Sequence, residues 1–326
     1  MKISIVMCFK NEAKHLDDTI QSILSQSEPD FELIAVDDHS EDESVQLLKK
    51  YAQRDSRVSL LANQGHGIID ALKTAYSAVS GDLVTRHDAD DLMPDHKLAT
   101  LKELLLTHGP GHVATGLVSY FSEGNLAEGF IKYADWLNEL CRTNSHAKHV
   151  FKECVIASPN WMAYKTDLES INAFQDEDYP EDYHLVFKMI EKKLKVVSSD
   201  RITHLWRDHP ARVSRTMAHC KDQKFYVLKV AYFLKFYGKE DIVLWGTGPS
   251  GKSLAKELVA QGVEFKWVSN NTKKIGKSIY GISVEHHDSL NARKDEKVVI
   301  AVTQRGSAEE ITGFLDDVPG CQYFNF

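Results

Sequence analysis

Hydrophobic positions in the first third of the chain alternate between two periods. Ile3 to Phe9 is a nearly unbroken apolar run and reads as a buried strand; after it, Leu16, Ile20, Ile23 and Leu24 recur at helical spacing. Phe31 to Val36 reads as the next strand, Ser44 to Tyr51 as a helix, Val58 to Ala62 as a strand, Ile68 to Val79 as a helix and Gly81 to Thr85 as a strand. This β-α-β-α-β-α-β order predicts an α/β fold with a mostly parallel sheet covered by helices on both faces. Ligands in such sheets bind beyond the carboxyl ends of the strands. Asp37-Asp38 and Asp88-Ala89-Asp90 both follow strands, so the pattern places them in one crevice.

From Pro94 to about Ser214 the pattern is less regular. A helix opens at Pro180-Glu181-Asp182-Tyr183 and runs to Lys193, and the strand Leu194 to Val197 follows. Ile202 to Pro210 then carries Trp206-Arg207-Asp208-His209. Met217 to Tyr237 reads as one helix, with Val227, Val230, Leu234 and Tyr237 on one face and Lys221, Lys224, Lys235 and Lys239 roughly opposite. It is either a linker packed on a domain or a basic aromatic helix touching an anionic membrane surface. A second β-α-β pattern starts at Asp241: strand Ile242 to Trp245, helix Pro249 to Gln261, strand Glu264 to Val268, strand Val298 to Val302, helix Ala308 to Leu315. Three parts follow: a first domain over 1–215, a helical linker over 216–239 and a small Rossmann-like domain over 240–326.

Composition narrows the class. The net charge of −8 excludes a general nucleic-acid binder. The five cysteines are scattered with no CxxC pair, which points to neither a zinc site nor a disulfide framework and fits a reducing, cytoplasmic location. No apolar stretch approaches the ~18 residues of a membrane span, so any membrane contact is peripheral.

The acidic turn Asp88-Ala89-Asp90-Asp91 before Leu92-Met93-Pro94 carries the chemistry. Three carboxylates at a strand end repel one another, and such a cluster persists when a cation sits among them. A hard oxygen site with few protein ligands suits Mg²⁺ or Mn²⁺ that also holds a diphosphate. The plainer alternative is a helix cap ahead of Pro94.

Ile3 to Glu12, Val36-Asp37-Asp38-His39-Ser40, Asp88-Ala89-Asp90-Asp91 and Glu181-Asp182-Tyr183 together resemble the family 2 glycosyltransferases of GT-A fold, in order and spacing, over about 1–215. Gly67 ahead of a helix also fits. The resemblance implies inverting transfer from a nucleotide-diphosphate sugar to an acceptor hydroxyl on a glycan or lipid-linked acceptor, with a divalent metal. It implies a donor site from Cys8, Phe9, Glu12, Asp38, Gly67, Asp88 and Arg207, with Asp38 accepting from the imide N–H of uracil or thymine; turn capping is the competing role of Asp38. Asp90 is the expected metal ligand, with Asp88 and His209 beside it. Asp182 is the expected general base, and Glu181 and Trp161 meet the acceptor; helix capping by the acids and core packing by Trp161 are the alternatives. Asp176-Glu177-Asp178 is a rival source of the base. A nucleotidyltransferase would need a basic glycine-rich N-terminal loop, which residues 8–14 lack, and an inactive nucleotide-sugar-binding scaffold would not need the intact Asp38, Asp90 and Asp182 set.

In the second domain, Gly246-Thr247-Gly248-Pro249-Ser250-Gly251-Lys252-Ser253 satisfies both GxGxxG and GxxxxGK[ST]. Gly246, Gly248 and Gly251 are thus a candidate phosphate loop. The short remainder of the chain argues against a P-loop NTPase. The strand end Ser269-Asn270 lacks the acid that holds an NAD ribose, so NAD is not expected.

Overall fold

A computed structural model describes residues 1–122, 124, 126–175, 180–210, 212, 224–290, 296–302, 307–316 and 321–326. The chain divides into two compact units, Met1–Ala147 with Cys154–Met217, and Lys148–Glu153 with Ala218–Phe326.

The first unit follows the expected alternation: β1 (Ile3–Phe9), α1 (Leu16–Leu24), β2 (Phe31–Asp37), α2 (Ser44–Arg54), β3 (Val58–Ala62), α3 (Gly67–Ser77) and β4 (Leu83–Arg86). It continues with α4 (Lys97–His108), β5 (His112–Ser122), α5 (Glu128–Thr143), β6 (Trp161–Tyr164), α6 (Lys165–Ser170), α7 (Glu181–Glu191) and β7 (Lys195–Asp208). The seven strands lie in the order β3-β2-β1-β4-β6-β5-β7, with only β6 antiparallel to its neighbours. β1 is buried on both faces, as a central parallel strand should be. Leu16, Ile20 and Ile23 of α1 fall one helical turn apart and are fully buried against Ile3, Ile5 and Met7. Chain order reverses between β1 and β4, so the crevice at their carboxyl ends collects the loops after β1, β2 and β4.

The middle of the chain is more regular than its pattern predicts. The strand expected to end at Val197 runs on to Asp208 and pairs with β5 along its length, with register shifts between Thr115 and Val118. Those shifts, and the exposed Asp200-Arg201-Ile202 stretch, break the strand period that sequence reading relies on.

The second unit contains α8 (Lys224–Tyr237), β8 (Ile242–Trp245), α9 (Pro249–Ala260), β9 (Phe265–Ser269), β10 (Ser278–Ile279), β11 (Ile282–His286), β12 (Lys297–Ile300), α10 (Ser307–Asp316) and β13 (Gln322–Asn325). Its order is β10-β11-β9-β8-β12-β13, parallel except for the β10–β11 pair. Val243, Trp245, Val268, Val298 and Ile300 form its core with Ile311 and Leu315 of α10.

The helix expected to be a linker belongs to this unit. Phe233 of α8 packs on Phe151 and Phe324, and Phe151 stacks on Phe326 with ring centroids 5.1 Å apart. Its buried face is also rotated from the expected one: Val227 is exposed, while Leu228, Lys229, Val230, Tyr232 and Phe233 are buried. Aromatic residues all round α8 leave its polar pattern too weak to fix the facing, and Lys229 is accommodated because its ammonium donates to the Lys152 carbonyl. Among the described residues no helix is long and apolar enough to cross a membrane.

Candidate active site

The acidic turn is held from three sides. His87 N–H donates to the Val6 carbonyl, extending the β1–β4 ladder by one residue. The Thr19 hydroxyl of α1 lies 2.9 Å from the carbonyl oxygens of both Ala89 and Asp91. Leu92 and Leu205 exchange two backbone hydrogen bonds, which tie the turn to β7.

The three aspartates of the turn then do different things. Asp91 is fully buried; its Oδ1 accepts from Arg207 N–H at 2.8 Å and its Oδ2 lies 2.9 Å from His204 Nε2. Asp90 Oδ2 lies 2.9 Å from His209 Nε2, and the His209 ring packs on His15. Asp88 Oδ1 accepts from Arg86 Nε at 3.2 Å, so Asp88 is turned toward Arg86 rather than toward His209.

Electrostatics single out Asp90 and Glu12. Burial, then the charges of Asp91 and Asp88, push the Asp90 carboxyl up to about 6. Burial, then Asp90, Asp42 and Asp91, push Glu12 up to about 8. Carboxyls that repel one another this way bind a divalent cation well. Asp90 and His209, 2.9 Å apart, offer a carboxylate and an imidazole, donors that suit a borderline divalent ion such as Mn²⁺.

Arg207 revises the expectation that it binds the donor. Its Nε donates to the Asp90 carbonyl at 2.8 Å, its Nη2 reaches Asp18 Oδ2 at 3.2 Å, and its guanidinium lies over the Phe121 ring. With its backbone N–H on Asp91 as well, it is a brace for the turn.

At the β2 end, Asp38 N–H donates to the Phe9 carbonyl. Asp38 Oδ1 accepts from Asn63 Nδ2 at 2.7 Å and from Gly67 N–H at 2.9 Å. Gly67 has φ +83°, a conformation that favours glycine, and it opens α3. Both of these bonds end on Oδ1, so Asp38 orders the loop with one oxygen. Asn63, which sequence reading missed, sits in a loop with no motif around it. Cys8 and Phe9 line the end of β1, and burial pushes the Cys8 thiol up to about 12, which keeps it neutral.

On the opposite side, α7 starts at Glu181 directly after Pro180. Glu181 Oε1 accepts from Arg86 Nη1 at 3.1 Å, so this oxygen is held by protein rather than presented to an acceptor. Burial, then the charge of Glu181, push Asp182 up to about 7. Asp182 lines a small cavity with Arg86, Ser158, Trp161, Phe174 and Glu181. Trp161 is only 3% exposed and stacks on Phe174, so it forms a wall of that cavity and not an open stacking platform. The rival acids Asp176, Glu177 and Asp178 lie outside the described residues.

In the second unit the glycine pattern is met by packing. Gly246 has φ +124°, and a Cβ there would stand 2.5 Å from the Ala301 carbonyl oxygen. A Cβ on Gly251 would stand 2.1 Å from the Gly246 carbonyl oxygen, while Gly248 faces open space at the start of α9. Beyond β9, the Asn270 amide oxygen accepts from Trp245 Nε1 at 2.7 Å.

Known proteins point the same way. TuaG of Bacillus subtilis, named for teichuronic acid biosynthesis, is 28% identical over 130 residues, 40% of this chain and 52% of its own length. The matched stretch covers about half or less of such curated relatives. S. aureus TarS 1-349, solved with UDP-GlcNAc, shares the fold with a TM-score of 0.57 at 16% identity, over 79% of this chain and 72% of that one. The mannosyltransferase PcManGT of Pyrobaculum calidifontis, solved with GDP-Man and Mn²⁺, does so with a TM-score of 0.54 at 19% identity, over 80% and 68%. The model of glycosyl transferase family 2 matches residues 4–170, just over half of the 326 residues, and the chain belongs to that family.

Proposed function

We propose that this protein moves a sugar from a nucleotide-diphosphate donor of UDP or dTDP type to an acceptor hydroxyl of a surface polysaccharide or lipid-linked glycan, with inversion at the anomeric carbon. The observation that supports the reading is the placement of the acids on neighbouring segments: Asp38 after β2, Asp90 with His209 at the turn after β4, and Asp182 beside Glu181, which Arg86 joins to that turn. The second carboxylate oxygen of Asp38 accepts from the imide N–H of the base. Asp90 and His209 would hold a divalent ion, which when bound would supply electrostatic stabilisation of the charge that builds on the departing diphosphate. Asp182 takes the proton from the acceptor hydroxyl. The new bond from that oxygen to the anomeric carbon forms as the bond to the diphosphate oxygen breaks on the opposite face. A carboxyl near 7 suits a base working at neutral pH, because enough of it is ionised and the proton transfer is still favourable.

A thermal-shift panel of UDP, dTDP and GDP with their sugar conjugates, with and without Mn²⁺, tests this. A ligand present at about 100 times its dissociation constant adds about 2.7 kcal/mol to the native state. UDP or dTDP ligands should raise the melting temperature in a Mn²⁺-dependent way. Stabilisation by GDP alone removes the base assignment, and no shift with any of the panel removes the functional reading.

A further inference from the structure

Arg86 closes β4 and is 12% exposed at its side chain. Its Nε contacts Asp88 Oδ1 at 3.2 Å and its Nη1 contacts Glu181 Oε1 at 3.1 Å. One guanidinium thus joins the acidic turn to the first residue of α7, across 95 residues of sequence. The neighbouring Asp182 lines the same cavity as Arg86. We propose that Arg86 is a positioning residue for the transfer reaction: through Asp88 and Glu181 it fixes the donor-side turn and the base-bearing helix in one frame, and so sets where Asp182 stands over the donor. This rests on the reading of Asp182 as the base.

The geometry favours arginine specifically. A planar fork that stays charged can meet two carboxylates along different edges at once, whereas an ammonium offers a single point. Four ionisable groups surround this cation: Asp88 from the turn, Glu181 and Asp182 from α7, and Cys8 from β1. Cys8 is a neutral thiol, so Arg86 faces three carboxyls. Glu181 raises the Asp182 carboxyl and Arg86 lowers it, so removing either partner should move that group in opposite directions. A salt bridge that served stability alone would change the melting temperature without moving the rate profile.

The test uses the full chain, with UDP-glucose, UDP-galactose and UDP-N-acetylglucosamine as probes, Mn²⁺ present and water as acceptor. UDP release is followed across the neutral pH range, and UDP affinity is measured by calorimetry. For Arg86→Met we expect UDP release to fall about 10²-fold, the loss that a misplacement of about 1 Å produces. Its UDP dissociation constant should stay within a few-fold of wild type, and the acidic limb of its rate profile should move to higher pH. Arg86→Lys should recover part of the rate. Glu181→Gln should lower the rate and move the limb to lower pH. An Arg86→Met protein with wild-type circular dichroism that keeps its rate and its limb overturns the proposal. If Arg86→Met does not fold, Glu181→Gln decides: an unchanged rate and limb overturn it equally. A wild-type protein that releases no UDP while still binding it overturns the base assignment and this inference with it, whereas wild type that binds no UDP overturns the uridine-donor reading on which the test rests.

Discussion

Replacing Asp91 separates the structural part of the acidic turn from its chemical part. Asp91 is fully buried and serves two partners, Arg207 N–H and His204 Nε2. In Asp91→Ala both are stranded where water does not reach. A buried group left without its partner costs about 1–3 kcal/mol, and burial holds the His204 ring well below its ordinary value, so the imidazole left behind is neutral. Two stranded groups put the loss at about 2–6 kcal/mol for the first unit. Asp91→Asn is nearly isosteric and can satisfy both partners, with Oδ1 accepting from Arg207 and Nδ2 donating to His204 Nε2. Its loss should stay under about 1.5 kcal/mol, close to the net worth of one hydrogen bond. Urea unfolding measures the first figure, followed with probes in the first unit because the chain has two units and one global transition is not assured. Hydrogen exchange at the Arg207 amide reads both losses locally, and it should accelerate about 10–10⁴-fold in the alanine variant and about tenfold or less in the asparagine variant, since each 1.36 kcal/mol is about tenfold. Equal destabilisation by the two substitutions would mean that the charge of Asp91, rather than its two bonds, holds the turn. An alanine variant as stable as wild type would falsify the brace altogether.

Three further outcomes are expected. Asp90→Asn should abolish the Mn²⁺-dependent part of UDP binding while leaving metal-free affinity within a few-fold; calorimetry with Mn²⁺ and with EDTA reads both, and full affinity in EDTA for wild type contradicts the metal role. Asp182→Asn should slow UDP-sugar turnover about 10²–10⁴-fold with little change in UDP affinity, and the wild-type rate should climb with pH through about 7 because the base must lose its proton; a collapse of UDP affinity in the variant would assign Asp182 to the donor site instead. Lys97 is fully buried with its ammonium on the Pro159 carbonyl, and burial pushes it down to about 7. Its folded pKa lies below its unfolded value of about 10.4, so the folded state binds fewer protons and stability rises from pH ~7 to pH ~10; the full penalty of at most roughly 4–5 kcal/mol falls below pH ~7. Lys97→Met should therefore gain stability relative to wild type at pH ~6 and lose that advantage at pH ~9.5, and thermal melts that differ by the same amount at both pH values contradict this.

Residues whose role depends on their own segment were legible in the sequence. Leu16, Ile20 and Ile23 announce α1 by spacing alone, and the acidic turn announces itself because three acids within four residues at a strand end need an explanation. Residues whose role depends on a distant partner were not. Asn63 matters because Asp38 lies beside it, and Arg86 because Glu181 comes from far along the chain. Arg207 was assigned to the donor on a motif, yet its guanidinium turns inward to the Asp90 carbonyl, a choice set by the Leu92–Leu205 pairing that no local pattern encodes. The long β7 stays hidden for a similar reason: its exposed Asp200-Arg201-Ile202 stretch reads as loop, and only the pairing of β5 with the segments on either side of 199–201 carries the strand through.

The glycine loop of the second unit shows what such a pattern can and cannot carry. GxGxxG and GxxxxGK[ST] share their first and last glycines here, Gly246 and Gly251. Both are required by close approach of backbone to backbone, at Ala301 and at Gly246 itself. That requirement holds whether or not a phosphate ever sits at the start of α9. At the end of β9, where the dinucleotide reading needs an acid, the side chains are engaged within the unit: Asn270 with the Trp245 indole, and Ser269 with Thr247. The motif is therefore evidence for a tight strand–turn–helix, which the sheet order confirms. A ligand needs a second kind of evidence, convergent polar groups with a chemical reason to converge. In the first unit the Asp90 carboxylate and the His209 imidazole, 2.9 Å apart beside Asp91, are such groups.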